Sequence, residues 1–345
     1  MENDSYLSWL AHETPTVWWH DSGDPDELDS GLAQGASGVT TNPVLAHRAL
    51  RAQPELWRSL VGPQSPDLEP EEKAIGLMRA VVRDAAAKLE PEHTASKGAL
   101  GYVCAQVNPT KAGDREAMLA MARRYHTWAP NIAVKLPVTA AGLDVLEACV
   151  AEGITITATV SFTVPQVVAV AERHRRGAAR AREAGITPGH CFAVIMIGRL
   201  DDYLREVAWD NKAGVTEADI RKAGLAVSKR AYEIYQAESV EAVLLVAALR
   251  GTYHMTELAG AELIMSIHPQ YQARLSEPGI PREQRIDRPV ETAAIERLQT
   301  VPEFVRAYEP DGMKPHEFIA FGATQRTLSQ FDQGGWAMLE GFDAF

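Results

Sequence analysis

The feature that most constrains this chain is an alternation. Short apolar runs, closed by polar residues or by Gly and Pro, take turns with longer stretches of helical period from about residue 16 to about residue 270. That order argues for βα units around a parallel sheet. The strand candidates are 16–20, 38–41, 101–107, 132–136, 154–160, 191–197, 240–247 and, less sharply bounded, 261–266. Eight of them suit a closed (β/α)8 barrel, a TIM barrel, better than an open sheet, although six to eight strands also fit a doubly wound fold.

The intervening stretches carry one-sided apolar stripes. Ile75, Met78, Val82, Ala85 and Leu89 recur at three- and four-residue spacing, as do Met118, Met121, Ala122 and Tyr125, so each set shares one helix face and reads as core. The methionines at this spacing are gap-filling rather than a cofactor box. Thr216 with Asp219 three residues on, ahead of a long stripe to Gln236, reads as a capping box. After His268, four prolines punctuate a charged stretch, expected as a surface excursion; the closing segment from Pro315 holds a helix and several aromatics, enough to pack back on a barrel but too little to fold alone. The expectation is one domain over 1–345, with a barrel core at about 16–270 and extra helices at the C-terminal end over about 271–345.

A length of 345 residues accommodates such a core, and a formal charge of −12 gives no global positive field for nucleic acid or anionic lipid. The amino-terminal stretch is acidic and interrupted by polar residues, unlike a secretory signal, and no run reaches the roughly 18 apolar residues of a membrane span. A cytoplasmic protein that binds neither nucleic acid nor membrane is expected. Cys104, Cys149 and Cys191 lie far apart in apolar runs without metal-spaced histidines, so they are expected to be reduced and buried, with no metal site.

In a parallel barrel the chemistry sits at the carboxyl ends of the strands, so the polar residue that ends each apolar run is a candidate. Lys135 interrupts Ile132 to Pro137 and either snorkels outward or points into the barrel, where burial favours the neutral amine that attacks a carbonyl. Asp21 is an acid/base group or a turn aspartate; Asn42, before Pro43, is a substrate ligand or a turn starter. Gln106 and Thr159 are site residues or ordinary polar residues of the interior. Arg199 and Arg250 each follow a strand beside a glycine. Their planar guanidinium groups suit a phosphate, or else ion-pair with Asp201, Asp202 or Glu257. His20, His254 and His268 form no metal-spaced cluster and read as structural or solvent-facing.

Four of these segments together resemble the transaldolase family, which includes the fructose-6-phosphate aldolase type. Gly38-Val39-Thr40-Thr41-Asn42-Pro43 is similar to its G-x-T-T-N-P after the second strand. Ile132-Ala133-Val134-Lys135-Leu136-Pro137, followed by Thr139, Gly142-Leu143 and Glu152-Gly153-Ile154, is similar to its Schiff-base strand and the next helix. Ile197-Gly198-Arg199-Leu200-Asp201-Asp202 resembles its G-R-[IL]-D-D, and His20-Asp21-Ser22-Gly23-Asp24 its D-[ST]-G-D. The resemblance runs from about Val17 to Pro269. It implies Lys135 as Schiff-base lysine, Asp21 as acid/base, Asn42 as a substrate-orienting amide, Thr159 as holder of a catalytic water, and Arg199 and Arg250 as phosphate ligands.

The chain departs from the family at three places. Gln106 stands where many transaldolases carry glutamate, as in the fructose-6-phosphate aldolase type. Val194-Ile195-Met196 replaces S-P-F, and Ala248 lies where a serine often helps hold phosphate. The expected activity is transfer of a three-carbon dihydroxyacetone unit between a keto-sugar or sugar-phosphate donor and an aldehyde acceptor, without cofactor or metal, by a protein that also pairs as a homodimer. The alternatives are a lyase that frees dihydroxyacetone and a non-catalytic sugar-phosphate binder.

Overall fold

The computed structural model describes residues 5–62 and 67–343; residues 1–4, 63–66 and 344–345, which include both ends of the expected single domain, lie outside it. Eight strands, all parallel to their neighbours, close a barrel in chain order. They are β1 Val17–His20, β2 Gly38–Val39, β3 Tyr102–Gln106, β4 Ile132–Pro137, β5 Ile156–Thr159, β6 Cys191–Met196, β7 Val243–Ala247 and β8 Ile264–Ile267. The seam is set by β1 against β8, with Val17 opposite Ile264 and His20 opposite Ile267. The expected (β/α)8 barrel is therefore the fold, and the doubly wound alternative is excluded by the closure.

Every strand candidate coincides with a strand; β4 and β8 run one residue past their candidates, and the other six are shorter than theirs. β2 ends at Val39; the Thr40 N–H still reaches the His20 carbonyl at 2.9 Å, and the Thr40 hydroxyl donates to Asp21. β5 stops at Thr159 because Val160 is left-handed, φ +54°, an uncommon state for a β-branched residue. The Ile75-to-Leu89 stripe lies on a helix Pro70–Ala95, and the Met118-to-Tyr125 stripe on Arg115–His126; both are buried. The helix Glu217–Ala237 starts in the expected capping box, Thr216 with Asp219.

Trp19 and Phe192 meet edge to face at 4.7 Å, with Tyr102 against Phe192 at 5.3 Å, and these rings floor the barrel near the amino ends of the strands. All three cysteines are free and buried. No helix among the described residues is long and apolar enough to cross a membrane.

Beyond β8 the chain runs outside, through an exposed stretch anchored by Lys229, whose Nζ donates to the carbonyls of Arg285 and Arg288. It then returns through the helices Thr292–Leu298 and Pro302–Tyr308, the 3-10 turn Pro315–Ala320, the helix Gly322–Phe331 and the π-helical turn Asp332–Trp336. Phe304, Phe318, Phe321, Phe331 and Trp336 from this segment are buried. The π-helical turn reaches the start of the helix Pro43–Ala52 so closely that a Cβ on Gly335 would lie 2.6 Å from the Val44 nitrogen, a distance no side chain tolerates against backbone. This turn thus braces the segment that follows Asn42.

Candidate active site

Strand register decides which side chains share the interior. Gln106 lies opposite Lys135 on the β3–β4 ladder, and Lys135 opposite Thr157 on β4–β5, so the three point the same way, and Thr159, two residues on, joins them. Lys135 points inward rather than snorkelling. It is 5% exposed, and its Nζ donates across the barrel to the Thr41 carbonyl at 3.3 Å. Among the described residues it makes no ion pair.

Around that amine the strand ends bring further polar groups. Asp21, just past β1, is half-buried, and its Oδ1 accepts the Thr40 hydroxyl at 2.7 Å; Thr40 Oγ1 lies 2.6 Å from Ser266 Oγ on β8. Gln106 is 2% exposed, and its Oε1 has no partner among the described residues. Thr159 is fully buried, its hydroxyl 4.0 Å from the Met196 sulfur. Below Lys135, Cys104 Sγ sits 3.3 Å from the Thr157 hydroxyl. Burial pushes the Cys104 thiol up, Lys135 pulls it back and Asp21 raises it further, so both charges act on one sulfur. Asn42 caps the helix Pro43–Ala52, its Oδ1 accepting from the Leu45 N–H at 3.0 Å; the donor end of the amide takes no part in the cap. Both readings of Asn42 are thereby compatible, since capping uses a different atom from substrate recognition.

Arg199 and Arg250 do not line the barrel interior but share a cavity of about 290 Å3 at its carboxyl end, with Tyr203, Arg326 and Gln330 among its walls. The expected ion-pair alternative holds for one of them. Arg250 grips Asp202 through Nε at 2.9 Å and Nη2 at 2.8 Å, both side chains well exposed, a kind of pair that contributes little to stability. Among the described residues Arg199 pairs with no carboxylate. It donates to the Gln330 amide oxygen and lies over the Phe331 ring, 5.2 Å from its centre. Burial, and then the nearby Arg250 cation, push it down to about 10, while Asp202 and Asp21 pull upward. It remains a cation at neutral pH, crowded by another cation, an electrostatic demand that an anionic ligand would meet.

Asp201 and Glu257, the other expected ion-pair partners, are engaged elsewhere: Asp201 with buried His254 at 3.0 Å and Glu257 with Arg285 at 2.9 Å. Histidines 20 and 254 are fully buried and hydrogen-bonded, and His268 caps the helix Pro269–Leu275. Larger grooves of 590 and 790 Å3 run along the outer faces of the helix Glu217–Ala237 and its neighbours, away from these strand ends.

The structure therefore gathers Lys135, Gln106, Asp21, Thr159 and Asn42 at the carboxyl mouth and sets Arg199 and Arg250 beside them. Sequence reasoning missed Thr40 and Ser266, which hold Asp21, although Thr40 stands inside the motif that ends at Asn42. It also missed Arg326 and Gln330, which no local pattern marks because they reach the site from the far end of the chain.

A profile for Transaldolase/Fructose-6-phosphate aldolase matches residues 18–313. A transaldolase of Thiobacillus denitrificans is 29% identical over 320 residues, covering 88% of each chain. Transaldolase 1 of Streptomyces avermitilis is 30% identical over 243 residues, 67% of this chain and 63% of the relative. A transaldolase of Neisseria meningitidis is 29% identical over 214 residues, 61% of this chain, so that the match spans about three fifths of that relative's own length. With a family match over most of its length, and motif positions gathered at the carboxyl mouth of a closed parallel barrel, the chain belongs to the transaldolase/fructose-6-phosphate aldolase family.

Proposed function

We propose that this protein is a class I aldol enzyme that transfers a three-carbon dihydroxyacetone unit from a keto-sugar phosphate to an aldehyde, through a Schiff base on Lys135. The observation that carries the reading is the lysine itself, buried on β4 without an ion-pair partner and facing Gln106 across one ladder. Neutral Lys135 attacks the donor ketone, and loss of water from the carbinolamine leaves an iminium. Asp21 removes the proton of the hydroxyl two carbons away, the carbon–carbon bond breaks, and its electrons flow into the iminium to give an enamine. The aldehyde acceptor then adds, Asp21 returns the proton, and hydrolysis frees the new ketose. Thr40 and Ser266 hold Asp21 in place; Thr159 and Gln106 are suited to hold the water that enters and leaves. Arg199 and Arg250 receive the phosphate at the remote end of the sugar.

Borohydride reduction with labelled dihydroxyacetone tests this directly. The label is expected on the peptide that contains Lys135 and is expected to vanish, with all turnover, in Lys135→Ala. Turnover retained by that variant would overturn the assignment. Gln106 favours a second reading within the same chemistry, a lyase that releases dihydroxyacetone, because an amide cannot supply a proton as a glutamate does. Product analysis with and without an aldehyde acceptor separates the two.

A further inference from the structure

The adjacent carboxylates Asp201 and Asp202 diverge, and both end at Arg250. Asp202 faces outward and holds the guanidinium. Asp201 is fully buried; one oxygen accepts the Gly224 N–H at 2.8 Å, and the other lies 3.0 Å from Nε2 of His254, itself fully buried. The opposite ring nitrogen, Nδ1, lies 3.2 Å from the Arg250 N–H. An N–H can only donate, so Nδ1 accepts, the ring proton sits on Nε2, and that proton points at Asp201.

We infer that Asp201 and His254 are a positioning pair for the anion site: the carboxylate selects the imidazole tautomer, and the imidazole holds the Arg250 main chain where its side chain meets the substrate phosphate. This inference rests on the arginine cavity of the proposed function. The turn being held is tight and crowded. Ala248 is left-handed at φ +56°, the Arg250 Nη1 folds back onto the Ala248 carbonyl at 2.9 Å, and a Cβ on Gly198 would lie 2.4 Å from both that carbonyl and Arg250 Cγ. Asp201 sits two residues after Arg199 on the helix Ile197–Asp210, so the pair ties the position of one arginine to that of the other.

Asp201→Asn isolates the tautomer, because the amide is the same size and shape. With its oxygen on the Gly224 N–H, its NH2 faces His254 Nε2, which must then accept; Nδ1 becomes the donor and opposes the Arg250 N–H. Inorganic phosphate binding by calorimetry, and KM and kcat for fructose 6-phosphate with unphosphorylated glyceraldehyde as saturating acceptor, are measured on wild type, Asp201→Asn and His254→Ala, alongside borohydride trapping of dihydroxyacetone. Both variants are expected to bind phosphate about five- to thirty-fold more weakly and to raise KM by a similar factor, while the unphosphorylated ketone is trapped on Lys135 at the wild-type rate. Should His254→Ala not fold, Asp201→Asn decides alone. Unchanged phosphate affinity in a folded Asp201→Asn, or equal losses in phosphate binding and trapping, would overturn the inference. Wild type that traps dihydroxyacetone yet binds no phosphate also overturns it and leaves the Schiff-base reading standing. Wild type that fails to trap overturns that reading, with the phosphate measurements still judging this one.

Discussion

Gln106 is where single-residue chemistry can be read most finely. It is buried beside Lys135, and among the described residues its carbonyl oxygen has no partner, which leaves that acceptor available to a water or a substrate group. Its amide can hold a water but cannot titrate, so in the proposed mechanism the proton of dehydration passes to another group, for which Asp21, held by Thr40, is the candidate. Gln106→Ala is expected to slow Schiff-base formation by about 10²- to 10⁴-fold, and Gln106→Glu to stay active with an added acidic limb in its pH profile. Rapid-quench trapping of the iminium measures the step; adduct formation at the wild-type rate in Gln106→Ala would reduce the residue to packing. Lys135 and Gln106 were legible as polar interruptions of apolar strands, and Thr159 only through the family resemblance. Thr40 and Ser266 were not, because a hydroxyl in a β-branched or small-residue run looks like any strand residue until the barrel brings β1, β2 and β8 together.

Two helices carry tests at the scale of the element. In Gly322–Phe331, Gln330 accepts from Arg199 without adding charge, so the cavity stays positive for an anion. Gln330→Glu would seat a carboxylate on the same guanidinium and compete with the substrate phosphate. KM for a phosphorylated ketose is expected to rise about tenfold or more, with trapping of dihydroxyacetone unchanged. An unaltered KM would mean that this helix is no wall of the site. The second helix, Glu217–Ala237, begins at the Asp219 capping box. Asp219 is buried, and hydrogen bonding to Arg297 holds its carboxyl well below the usual carboxylate range. A depressed folded-state pKa stabilises above the unfolded value, about 3.9, and that stabilisation fades as the pH falls below it. Asp219→Asn is accordingly expected to lower stability by about 1–2 kcal/mol at neutral pH, the half-exposed Arg297 limiting the ionic share, and to close the gap with wild type below about pH 4. Urea titrations at pH 7 and pH 3 check the sign; a gap that widens in acid would contradict it.

At the scale of the whole molecule, the barrel is closed by residues 247 positions apart, Val17 and Ile264, and the π-helical turn Asp332–Trp336 is seated on the Val44 backbone. We propose that barrel and C-terminal helices unfold as one unit. Gly335→Ala drives a methyl into backbone that cannot step aside, which should cost about 1–3 kcal/mol. The cost should lower the midpoint for the buried barrel tryptophans Trp18 and Trp19 together with that for Trp336, all of them nearly inaccessible to solvent. Single-tryptophan variants followed by fluorescence would report this; an earlier transition confined to Trp336 would make the extension a separate unit.

What the sequence determined by itself was periodic or local. The alternation of strand and helix, the one-sided stripes and the Thr216–Asp219 box depend on neighbours a few residues apart, and all reappear in the structure. The strand-end polar residues were visible for the same reason. Tertiary structure alone decided direction and partnership: that Lys135 turns inward to the Thr41 carbonyl, that Arg250 takes Asp202 while Arg199 takes Gln330, and that Asp201 turns away to His254. Each of those choices is a competition between groups that are distant along the chain or equally placed along it. The winner is set by burial and by which donor and acceptor the closed barrel brings within about 3 Å, the range in which a hydrogen bond forms.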